Sequence, residues 1–157
     1  MRGAGAFIAL MGGAGLALCA CSKPPAAARG LSADALDAAI GPTIGDPTTC
    51  VLLADPASGK IVYRYGQMFN CERPLPACDR QGTLTGKTAL ALAVTPGGRT
   101  ASCPSTSDGS RSVGWAEGRT QDTRRDLIFS AVMEGQRALP GQEMAARLAD
   151  AFQQAGV

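Results

Sequence analysis

Six cysteines, three lysines and a scatter of hydroxyl side chains carry the reactive potential of this chain, because histidine is absent from all 157 residues. A Ser-His-Asp triad, a Cys-His pair and a histidine-held metal site are therefore excluded. What remains for acyl transfer is a serine activated by a lysine amine, and Ser102 or another loop serine with Lys87 is the pairing to test. Arg99 and Thr100 stand together as a cation and a hydroxyl suited to a carboxylate. Trp115 is either core or a surface on which a sugar stacks. Asp34 and Asp37, three apart, read as a solvated helix face. The charged turn Asp122–Asp126 reads as a hairpin tip. Cys50, Cys71, Cys78 and Cys103 offer four sulfurs at irregular spacing, which suits disulfides better than a metal. No metal or other cofactor is expected.

Lys+Arg number 15 and Asp+Glu 13, a net charge of +2, which leaves no basic excess for gripping nucleic acid. Aromatic residues are 4% of the chain, too few for a base-stacking platform.

The N-terminus reads as an address. Arg2 precedes a short apolar run from Ala6, too short to span a membrane as a mature helix. The run ends in Leu18-Cys19-Ala20-Cys21, which resembles a bacterial lipobox. The resemblance implies acylation of Cys21 and cleavage before it. Residues 1–20 are then a lipoprotein signal peptide, 21–30 a tether and 31–157 a single domain. Cys19 fits the motif less well, because Leu18 precedes it. Ser22 follows the anchor rather than an aspartate, which favours the outer membrane facing the periplasm. In an oxidising compartment the remaining four cysteines form two disulfides. Three pairings are possible. Proximity favours Cys71 with Cys78, leaving Cys50 with Cys103.

The elements that must position these residues follow from pattern. Ser32 caps a helix over 32–40, with Gly41 past its end. Cys50–Ala54 is apolar on both alternations, as a central strand would be. Asp55–Lys60 is turn chemistry, and Ile61–Tyr65 completes a hairpin as an edge strand. Residues 66–82 are irregular and 83–94 helical. Strands follow at 99–103, 113–116 and 127–133, the last the most apolar. Pro140 opens a C-terminal helix whose Met144, Leu148, Ala151 and Phe152 share one face. The expected fold is α+β: an antiparallel sheet of four to five strands, with the N- and C-terminal helices packed on one face.

That order resembles the α/β half of the penicillin-recognising serine hydrolases, the transpeptidases and class D β-lactamases among them. Three stretches carry the likeness. Leu53–Tyr63 is similar to the opening hairpin, Cys71–Cys78 to the approach to the nucleophile, and Gly98–Ser102, Ser112–Gly118 and Asp126–Glu134 to the last three strands. The departures concern catalysis. Cys78-Asp79-Arg80-Gln81 stands where Ser-x-x-Lys belongs, no Ser-x-Asn occurs, and Arg99-Thr100-Ala101 replaces Lys-Thr-Gly. The resemblance thus implies a trimmed half-fold without its catalytic machinery. The expected protein is a lipid-anchored envelope module, binding or structural, that touches peptidoglycan or an envelope protein. The alternatives are a minimal hydrolase or acyltransferase acting on peptidoglycan peptides or β-lactams, and an accessory lipoprotein docking a protein partner through its sheet edge.

Overall fold

A computed structural model describes residues 30–121 and 125–157. Cys19 and Cys21, the signal segment, the tether up to residue 29 and the Asp122–Arg124 part of the charged turn lie outside the described residues. Eleven elements follow in order: α1 (Ala33–Ile44), β1 (Cys50–Ala54), β2 (Ile61–Tyr65), α2 (Met68–Glu72), β3 (Leu75–Pro76), β4 (Thr83–Leu84), α3 (Gly86–Leu92), β5 (Arg99–Pro104), β6 (Ser112–Arg119), β7 (Ile128–Gly135) and α4 (Gly141–Gln154). Five strands form an antiparallel sheet in the order β2-β1-β7-β6-β5, and β3 with β4 makes a two-stranded ribbon. The fold is the α+β arrangement anticipated above.

Each face of the sheet is covered. Val51 and Leu53 of β1, Ala116 of β6 and Phe129, Ala131 and Met133 of β7 meet α1 and α4 in one core. The Phe129 and Phe152 rings lie edge to face, their centroids 5.2 Å apart. The alternate residues, Cys50, Leu52, Val113, Trp115, Ile128 and Val132, meet the segment 71–93 in a second core. This two-sided burial is why β1 and β7 are apolar on both alternations. α4 lies so close to the sheet that a Cβ at Gly141 would fall 2.0 Å from the Trp115 carbonyl oxygen, and one at Gly114 2.1 Å from the Leu139 carbonyl oxygen.

Two expectations are corrected. α1 does not stop at Gly41 but runs through Pro42 to Ile44, where the Gly45 N–H closes it on the Gly41 carbonyl. Buried Ile44 extends the apolar face and outweighs the glycine and proline signals. The disulfides pair Cys50 with Cys71 and Cys78 with Cys103, not Cys71 with Cys78. Cys71 belongs to α2, which lies against β1, whereas Cys78 sits beyond β3 in a left-handed backbone conformation (φ 69°) beside edge strand β5. Their Cα separations, 5.2 and 5.4 Å, are ordinary for disulfides. Both bridges fasten the segment between β2 and β5 to the sheet. No helix among the described residues is long and apolar enough to cross a membrane.

Candidate functional site

Strand alternation decides the fate of the residues singled out by sequence. Arg99 and Thr100, being neighbours on β5, face opposite sides of the sheet. Arg99 turns to the second core, and Thr100 is exposed on the other face. Trp115 is completely buried, and its indole Nε1–H donates to the Pro76 carbonyl at 2.7 Å. The three do not converge on one groove. Trp115 instead anchors β3 against the sheet.

The Ser102–Lys87 pairing is likewise not formed. The Ser102 hydroxyl accepts from the Gly141 N–H at 2.8 Å, on the α4 face. Lys87, on α3 across the sheet, donates to Glu72 at 2.8 Å. The other serine near α3, buried Ser130, donates to the Gly86 carbonyl. Cys78, which the sequence resemblance set at the position of a nucleophile, is bound in a disulfide. Among the described residues no group of three or more histidine, cysteine or acidic side chains is placed to hold a metal.

Polar chemistry concentrates instead around two buried carboxylates on the second face. Glu134, near the end of β7, receives Arg111 as a fork, Nε and Nη2 each at 2.7 Å from its two oxygens. Arg73 and Ser105 complete its shell. The Arg111 fork, aided by Ser105 and Arg73 against the cost of burial, holds the Glu134 carboxyl down at about 2.

Glu117, on β6 directly opposite Arg99, is treated differently. Arg99 donates to one Glu117 oxygen, to both oxygens of Asp79 and to the Ala77 carbonyl. Arg80 adds a second contact to Asp79. Hydrogen bonds from Arg99 and then Arg80 hold Asp79 well below the usual carboxylate range. Burial pushes Glu117 upward in spite of Arg99. Its Oε2 is buried without a hydrogen-bond partner among the described residues. Beside it opens a cleft of about 330 Å³, lined by Arg80, Leu92, Thr95, Gly98, Arg99 and Glu117.

Of the sequence candidates, Arg99 alone contributes to this cluster among the described residues. Asp79 and Glu117 carried a usable signal. Glu117 breaks an apolar alternation on a strand otherwise destined for burial, and a buried acid demands a cation. Comparison with protein-family models, with curated proteins and with solved structures finds no match to the chain.

Proposed function

We propose that the chain is a lipid-anchored cell-envelope protein, held at the outer membrane facing the periplasm by acyl chains on Cys21. Its domain is a non-catalytic binding or structural module, a reduced relative of the penicillin-recognising hydrolases. The observation that carries the reading is Leu18-Cys19-Ala20-Cys21 at the end of a short apolar run. Two disulfides in a domain of this size support it, since such bonds persist outside the cytosol. The non-catalytic part rests on Lys87 being spent on Glu72 and on a disulfide at the nucleophile register.

Peptidoglycan and an envelope protein are the two partner classes. The protein partner is favoured by Phe69, which stands 66% exposed next to exposed Met68 in α2. Expression in a bacterial host with a clickable palmitate analogue tests the anchor. The protein acquires the label, and Cys21→Ala abolishes it. Label that survives Cys21→Ala, or a mature protein that retains Met1 and carries no lipid, overturns the reading. Labelling of the purified domain by fluorescent penicillin overturns its non-catalytic part. Sacculus sedimentation against crosslinking in intact envelopes separates the two partner classes.

A further inference from the structure

We propose that the cleft between the end of α3 and the first residues of β5 is a binding site for a free α-amino acid with an aliphatic side chain, its ammonium meeting Glu117 and its carboxylate meeting Arg80.

The argument starts from what the site leaves unspent. Glu117 is 97% buried, being 3% exposed, and one of its oxygens has no donor among the described residues. A buried acceptor left without a partner costs about 1–3 kcal/mol, so its retention needs an explanation. Four of the five Arg99 N–H groups go to Glu117 Oε1, Asp79 and Ala77, and Arg99 makes no hydrogen bond to Oε2. Arg80 lines the same cleft, and only its Nε and Nη2 are engaged, both with Asp79. Its remaining N–H groups have no hydrogen-bond partner among the described residues, and its charge reaches Glu117.

The four charges pair among themselves, Arg99 with Glu117 and Asp79 and Arg80 with Asp79, and sum to zero. What stays unmatched is one acceptor, the second oxygen of Glu117, and the outward N–H groups of Arg80. A zwitterion supplies a donor to the first and an acceptor to the second without adding net charge, whereas a lone amine serves only Glu117 and a lone carboxylate only Arg80. Leu92 and Ala93 supply an apolar wall for a side chain, and about 330 Å³ accommodates one. Thr95, Gly98 and Glu117 also line a second cleft of about 320 Å³, so the Thr95–Gly98 turn partitions the two. Oε2 is sealed from solvent. The ammonium reaches it as this turn is displaced, a movement that Gly97 and Gly98, both at positive φ, can absorb.

The test is titration of the mature domain with L-leucine, followed by calorimetry and by backbone amide shifts. Isoamylamine and isocaproate are the controls, each lacking one of the two charges. Leucine binds and moves the amides of Thr95–Gly98 and Gly118, and each control binds at least about tenfold more weakly. Glu117→Gln and Arg80→Ala each weaken leucine by about tenfold or more. Arg80 is exposed, so its variant folds even if Glu117→Gln does not. Absence of leucine binding, equal binding of either control, or leucine affinity unchanged in Arg80→Ala overturns the proposal.

Discussion

Replacing Glu134 by glutamine keeps the shape of the side chain and removes its charge from between Arg73 and Arg111. The cost follows from how far those partners hold the carboxyl down. A fall from the ordinary 4.5 to about 2 corresponds to about 3 kcal/mol. Arg111 is 38% and Arg73 29% exposed, so water screens part of this, and about 2 kcal/mol is expected at pH 7. The sign is fixed by the direction of the shift. A carboxyl held below its unfolded value contributes stability above pH 4.5 and loses it as the pH falls towards about 2. Urea unfolding with the disulfides intact measures both proteins at pH 7, 5, 3 and 2. Trp115, the only tryptophan, is fully buried and reports the transition. The difference between wild type and Glu134→Gln stands near about 2 kcal/mol at pH 7 and closes through the acid range. A difference that stays constant with pH, or one that widens in acid, refutes the assignment of that stability to the ionised Glu134.

Glu117→Gln gives the opposite pH trend. Because burial holds that carboxyl above its ordinary value, ionisation opposes folding, so at pH 7 the variant loses less stability than Glu134→Gln in the same urea series. Arg99→Ala strands buried Glu117 without its cation and lowers stability by about 3 kcal/mol, with Arg99→Lys recovering only part in thermal melts. Gly141→Ala places a methyl group against backbone atoms of both β5 and β6 and costs about 3 kcal/mol or more, read by the same melts. Non-reducing cleavage after Glu72, which lies between Cys71 and Cys78, releases the peptide holding Cys50 and Cys71 from the peptide holding Cys78 and Cys103, each with its own internal bridge, whereas either alternative pairing keeps the two joined. Each bridge contributes about 3 kcal/mol by loop closure, so either double serine variant unfolds at markedly lower urea.

Much of the sheet was readable because burial writes itself into alternation. β1 and β7 are apolar on both alternations, and they are the strands with a helix-bearing core on each side. The terminal helices announced themselves through the Ser32 cap and the Met144–Leu148–Ala151–Phe152 stripe. Pro140 proved to be the N-cap rather than the first helical residue, a shift of one position. The segment 66–82 was opaque, since a five-residue α2 and a two-residue β3 carry no periodicity to detect, and the helix expected over 83–94 is shorter, Thr83–Leu84 pairing with β3 as β4 and the Thr85 cap starting α3 only at Gly86. Cysteine pairing failed for a related reason. Only six residues lie between Cys71 and Cys78, but β3 carries the chain from beside β1 towards edge strand β5 between them. Arg99 and Thr100 looked like a pair in sequence, and strand geometry alone separates them. The carboxylate clusters depend on partners distant in sequence, such as Arg73 with Glu134, which local spacing does not reveal.

The placement of β1 bears on how the molecule is made. Its residues sit opposite two neighbours of unequal age: Val51 faces Tyr65, translated almost at once, and Ala131, which comes nearly last. A nascent chain therefore carries this wholly apolar ribbon with one flank bare until the final quarter of synthesis is complete. Shortening the protein from its C-terminus, even by the span of β7 and α4, would leave that flank open to strangers.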